Sequence, residues 1–137
     1  MSNDIPPDGT YSTRLFHCLK YEDAPAAIDW LESVLGFRVA VRYDDNGLVG
    51  HCELAWSGGG GVMLGSVGAG SADLRPGGGI AYLVTDDIDA AWARVREAGV
   101  EAEIALRDTD YRSREFLVRD PEGNHWSVGT YPGAPTP

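Results

Sequence analysis

The chain is short of cysteine, lysine and long apolar runs, and each shortage removes a class of explanation. Its two cysteines, Cys18 and Cys52, are too few for the disulfide framework of a small secreted domain. They are expected as two buried or pocket thiols, without a disulfide, on opposite faces of their strands. No apolar run approaches the roughly 20 residues of a membrane span, and the polar, acidic start from Met1 to Gly9 does not read as a secretory signal. A cytoplasmic location is therefore expected. Lys20 is the one lysine among 11 basic residues, against 21 acidic ones, for a formal net charge of −10. Such a chain repels nucleic-acid phosphates and anionic membranes, so neither is expected as a partner. The charge suits solubility, or an acidic pocket for a cationic ligand. The glycine runs at 58–61 and 77–79 lack the strand, lysine and helix context of a phosphate loop and read as turn and linker.

What is present is a repeat. Asp23 heads the helix-like run Ala26-Ala27-Ile28-Asp29-Trp30-Leu31, which ends in Leu35-Gly36-Phe37. Asp86 heads Asp89-Ala90-Ala91-Trp92, which ends in Ala98-Gly99-Val100. Asp23 to Asp86 and Gly36 to Gly99 both span 63 positions, and Gly61 to Gly123 spans 62. Internal repetition fixes architecture before any local reading does. Two copies in 137 residues suit one domain built from two similar modules about a pseudo-twofold axis.

Local patterning gives each module the order β-α-β-β-β. Arg14 to Tyr21 reads as a strand. Asp23 is a helix N-cap with Pro25 in the first turn, and Gly36 closes that helix. Strands follow at Phe37–Tyr43, Val49–Trp56 and Val62–Leu64, with Asp44-Asp45-Asn46-Gly47 as a hairpin turn. After a linker at 67–79 the order restarts. Ile80–Val84 is a strand, and Asp86 or Asp87 caps a helix ended by Gly99. Strands at Val100–Leu106, Glu115–Arg119 and His125–Tyr131 complete the set, and Asp120-Pro121-Glu122-Gly123-Asn124 is a strong turn. The modules cover about 13–66 and 80–131, in a single domain over 1–137. The fold class is α+β, with two mixed sheets curled around a cleft.

This ordered set resembles the vicinal oxygen chelate superfamily, which takes in glyoxalase I, fosfomycin-resistance proteins, extradiol dioxygenases and bleomycin-resistance proteins. The resemblance is carried by Asp23 to Phe37, the strand His51-Cys52-Glu53-Leu54, the segment Tyr82 to Gly99, and Asp120-Pro121-Glu122-Gly123-Asn124 followed by Trp126. It covers about residues 13–131 and implies paired β-α-β-β-β modules, often in a homodimer with the site at the interface. It also implies four positions that hold a divalent metal in the family's enzymes. Counted from the family's landmarks, these fall on Phe16, Glu53, Gly79 and Ser127. One carboxylate does not make the three or four donors such an ion needs, so no metal or other cofactor is expected.

Strand alternation places Phe16, Cys18, His51, Glu53, Ala81, Leu83, His125 and Ser127 toward the cleft. Their neighbours Leu15, His17, Leu19, Leu54, Tyr82, Trp126 and Val128 then face the helices. His51 and Glu53 share one strand face. They suit contact with a cationic ligand, a satisfied structural pair, or acid–base and metal chemistry with His125. Phe16 offers a stacking surface where the family places a metal ligand. Trp56 is a further aromatic contact, and Tyr111, in a charged loop, is placed to close over a ligand. Trp30, Trp92 and Trp126 suit core packing. The reading that results is closest to the bleomycin-resistance branch. It is a metal-free protein that sequesters a bulky, planar, cationic antibiotic, of bleomycin type or an intercalating peptide. The alternatives are a glyoxalase- or isomerase-type enzyme with an irregular metal or acid–base site, and an accessory binding protein in natural-product biosynthesis.

Overall fold

The computed structural model describes residues 16–69, 76–77 and 80–133. Module 1 runs β1 (Phe16–Tyr21), α1 (Ala24–Trp30), a π turn (Leu31–Leu35), β2 (Arg38–Asp45), β3 (Leu48–Ala55) and β4 (Gly61–Ser66). Module 2 runs β5 (Ile80–Val84), α2 (Ile88–Glu97), β6 (Ile104–Asp108), β7 (Arg114–Arg119) and β8 (His125–Gly129). Each module forms one four-stranded mixed sheet. The orders are β1-β4-β3-β2 and β5-β8-β7-β6, the same path traced twice. In both, the first strand pairs in parallel with the last, and the other pairs are antiparallel.

The helix caps correct the period of the repeat. Asp23 accepts from the Ala26 amide at 3.1 Å, and its counterpart is Asp87, not Asp86, accepting from Ala90 at 3.1 Å. The N-caps therefore lie 64 residues apart, and so do Phe16 and Ile80, the first paired residues of the two parallel ladders. The helices end in left-handed glycines, Gly36 (φ 81°) and Gly99 (φ 72°), which are 63 apart. Module 1 thus has one more residue between caps, and it is taken up as the π turn, a known way to house an insertion in an α-helix. The drift in the repeat is one residue's worth of helix.

Two strands start or stop away from their expected bounds for reasons of hydrogen bonding. Val100 donates to the Val95 carbonyl at 3.3 Å, so 100–103 belong to the exit from α2 and β6 starts at Ile104. After Gly129 the Tyr131 amide donates to side-chain hydroxyls of Tyr82 and Ser113, and β8 ends there. The β2–β3 hairpin turns on Asn46 and Gly47, both at positive φ (52° and 78°), the geometry a two-residue hairpin asks for. Gly50 is bulged out of β3, between the pairs Asp44–Val49 and Tyr43–His51. The bulge turns Val49 into the core while His51 and Glu53 keep the opposite face.

A single apolar core joins the modules between the helices and one face of each sheet. It holds Tyr21, Ile28, Leu31, Leu54 and Val62 from module 1 with Val95, Phe116, Val118, Trp126 and Val128 from module 2. The joint is polar at one point. Buried Asp120 accepts from the Tyr21 hydroxyl (2.6 Å), the Trp126 indole (3.1 Å) and the Asn124 amide (3.1 Å). Its other oxygen accepts the backbone amides of Glu122 and Asn124, both at 3.0 Å. Burial and the Asp120 carboxylate push the Tyr21 phenol well above its ordinary range. The opposite face of each sheet carries no helix, and the candidate site lies there.

Candidate functional site

On the helix-free face of module 1, Cys18, Met63 and Glu53 lie in register across β1, β4 and β3. His51 Nε2 stands 2.7 Å from Glu53 Oε2. Cys18, Lys20, Gly50, His51, Met63 and Gly65 line a shallow cavity of about 200 Å³. Cys18 is exposed and Cys52 is buried, both as free thiols, as strand parity predicted. Burial pushes the Cys52 thiol up to about 11, so it is inert. Phe16 is half-buried at the end of this face.

Module 2 overturns one expectation. Leu83, expected toward the cleft, is 9% exposed and packs in the core, with Ala81 against that core. Tyr82, expected in the core, is 41% exposed on the helix-free face. The cause is a one-residue slip in counting the family's landmarks onto Gly79. Such a slip turns every side chain of a strand over, and it put β5 inside out. The position matching Phe16 is therefore Ile80 rather than Gly79, and Gly79 lies outside the described residues. His17, Leu19, Leu54, Trp126 and Val128 face the helix side as expected, while Leu15 lies outside the described residues.

A cavity of about 620 Å³ opens on the helix-free face of module 2. Its walls are Tyr82, Tyr111 and Tyr131, with Val84, Pro132 and Gly133 completing the rim. Its floor is Glu115, 8% exposed. Glu115 Oε2 accepts from the Tyr82 hydroxyl at 2.6 Å and from Ser113 Oγ at 2.9 Å, and Oε1 accepts from the Tyr111 hydroxyl. Tyr111 and Tyr131 meet edge to face at 5.7 Å between centroids. Burial pushes the Glu115 carboxyl up, but the hydroxyls of Tyr111, Tyr82 and Ser113 outweigh it and hold the group below its ordinary range. The phenols of Tyr82 and Tyr111 are raised, the first chiefly by burial and the second chiefly by the bond to Glu115. At neutral pH the floor is an anion, and Tyr82 and Tyr111 are intact phenols.

This floor depends on Gly129, which sits beside Glu115 in the β7–β8 ladder. A Cβ there would collide with the Tyr82 hydroxyl and come within 2.7 Å of Glu115 Cγ.

Of the residues singled out in the sequence, Tyr111 lines this cavity. His125 and Ser127 share its face, Ser127 in register with Tyr82 and Leu117. Phe16, Cys18, His51 and Glu53 gather on the other module. Trp56 and Leu83 border a third cavity, of about 310 Å³, at the junction of the modules beside His17, Phe37 and Trp126. There the Trp56 indole donates to the Val84 carbonyl at 2.9 Å, and burial lowers the His17 pKa. Sequence reasoning missed Glu115 and Tyr131. Alternation along β7 carried the signal for Glu115: with Phe116 and Val118 in the core, Glu115 must face the other way.

The donors do not suit the metal that the family's enzymes hold. Phe16, Glu53, Ile80 and Ser127 offer one carboxylate and one hydroxyl. Among the described residues, no group of three or more His, Cys, Asp and Glu is placed to hold a metal ion. No helix among them is long and apolar enough to cross a membrane.

The comparisons with known proteins agree with this architecture. TioX from Micromonospora sp. ML1 superposes with a TM-score of 0.73 at 32% identity, over 85% of this chain and 97% of that one. A superfamily member from Sphaerobacter thermophilus superposes with a TM-score of 0.66 at 25% identity, over 85% of this chain and 96% of that one. An uncharacterized protein of Mycobacterium bovis is 40% identical over 48 residues, which is 35% of this chain and 32% of that protein. The chain therefore spans about a third of that curated relative. The family model of the Glyoxalase/Bleomycin resistance protein/Dioxygenase superfamily matches residues 14–128, and the chain belongs to that superfamily.

Proposed function

We propose that this protein binds a planar, cationic small molecule and sequesters it without chemical change, in the manner of an antibiotic-resistance protein. The observation that carries the reading is the tyrosine-walled cavity over the buried Glu115 carboxylate. A volume of about 620 Å³ is that of a drug-sized site. Aromatic walls attract a flat ring by stacking and a cation through the ring quadrupole. The net charge of −10 adds long-range attraction for a cation. The donor set at the family's metal positions favours binding over Lewis-acid turnover. We place the protein in the cytoplasm, in keeping with its two free thiols. We take the working form to be a homodimer, in which a second copy would cover exposed Tyr43, Leu48, Ile80 and Ile104.

The test is a calorimetric titration with a bleomycin-type glycopeptide and with an intercalating peptide antibiotic. It is repeated on Tyr111→Leu and Tyr82→Leu, and the recovered ligand is weighed by mass spectrometry. Saturable binding of an unaltered ligand, weakened in both variants, supports the reading. A second reading, acid–base turnover, is favoured by the His51–Glu53 pair at 2.7 Å. It predicts a changed ligand mass that His51→Ala abolishes.

A further inference from the structure

The hydrogen-bond inventory of the cavity floor narrows the class of ligand. Glu115 presents two oxygens with about four acceptor positions. Three are taken, by the hydroxyls of Tyr82, Tyr111 and Ser113. The hydroxyl protons that a ligand would compete with are already spent on Glu115. The Tyr82 and Ser113 oxygens are engaged as well, because the Tyr131 amide donates to both at 3.1 Å. What remains toward the cavity is ring face, aliphatic rim, the weakly accepting Tyr111 oxygen and a negative charge lying beneath them.

An ammonium or guanidinium group brings several N–H donors that water satisfies in solution. Entering this cavity, it would exchange a full water shell for one open position on Glu115 and weak phenol acceptors, which is costly. A cation whose nitrogen is fully alkylated or embedded in a ring without N–H has no such debt. It keeps its attraction to the carboxylate, which acts through space, and to the tyrosine faces. Those faces are strengthened because Tyr82 and Tyr111 donate to an anion, which raises the electron density of their rings.

We infer that the Glu115 cavity selects an N–H-free organic cation, a quaternary ammonium or an N-alkylated heteroaromatic ring, over a cation that donates hydrogen bonds. This rests on the reading of the same cavity as a site for a planar cation.

The experiment compares three flat probes of similar size by calorimetry: N-methylquinolinium, protonated 4-aminoquinoline, and quinoline at a pH where it is neutral. N-methylquinolinium is expected to bind about tenfold more tightly than either of the others. In Glu115→Gln its advantage over neutral quinoline should disappear. In Tyr111→Phe the ring stays, a carboxylate position is freed, and protonated 4-aminoquinoline should gain on N-methylquinolinium. Tyr111 is 50% exposed, so that variant does not threaten the fold. Equal binding of all three probes overturns the inference and leaves the planar-ligand reading standing. Tightest binding of protonated 4-aminoquinoline to the wild type also overturns it, in favour of direct hydrogen bonding to Glu115. No binding of any probe overturns both.

Discussion

The two modules share a backbone and differ in what they display. Strand order, parallel and antiparallel pairing, N-cap aspartate and a closing glycine at positive φ are the same in both. The helix-covered faces follow one rule, with large apolar side chains meeting in a common core. The helix-free faces follow none. Module 1 shows Cys18, Met63, His51 and Glu53 around a shallow depression, while module 2 shows three tyrosines over a carboxylate in a cavity about three times as large. Along the third strand of each module His51 and Glu115 hold matching places, four residues before Ala55 and Arg119, which pair with Gly61 and His125. One is half-exposed and bonded to a single partner. The other is buried beneath three hydroxyls. Core packing constrains the covered face, and the open face is free to specialise.

The polar joint between the modules is where the comparison breaks with the largest effect. Asp120→Ala should destabilise the protein by about 3 kcal/mol, because it strands the Tyr21 hydroxyl and the Trp126 indole in the core. A denaturant midpoint with an unchanged slope measures it. Next in size is the ligand site. Glu115→Gln should weaken binding of a planar cation about tenfold, whereas Glu53→Gln on module 1 should leave it within twofold or so. If the two variants behave alike, the modules are not specialised in the way their faces suggest.

A smaller effect concerns acid. The folded pKa of Glu115 lies below its unfolded value of 4.5. The unfolded chain therefore binds more protons in the window between them, and stability rises with pH there. The contribution is fully present above pH 4.5 and is lost as pH falls through the lowered value. Glu115→Gln should flatten that part of the acid limb, which thermal melts at stepped pH would show. The smallest effect tests the inserted residue. Deleting exposed Ser33 makes the first helix as long between caps as the second. The π turn should relax to α-helix with a stability change within about 1 kcal/mol.

Much of the fold was legible because its signals are local. Gly36, Gly99, Asn46-Gly47 and Gly123 act through positive φ, which few other residues adopt, and Asp23 and Asp120 act by accepting backbone amides close by in the chain. The site was less legible because it depends on counting across distance. Gly79 and Ile80 are adjacent in sequence, and nothing local says which of them matches Phe16. Choosing between them sets the parity of β5, and with it whether Tyr82 or Leu83 faces the ligand. Tyr131 lies past the end of β8, where alternation no longer constrains it. Tyr111 could be placed near a ligand, but its partner could not be named, because the loop returns to Glu115 through Arg112 at a positive φ of 65°.

Gly129 gives the open face a further property. Both groups that a methyl there would meet are side chains, the Tyr82 hydroxyl and Glu115 at Cγ and Oε2, while the strand itself has ordinary backbone angles that alanine can adopt. A single added carbon would therefore leave the architecture standing and dissolve the receptor. Relatives that differ at this one place could share the scaffold and answer to other molecules, so that the identity of the residue there reads as a label for whether a copy of the fold is armed.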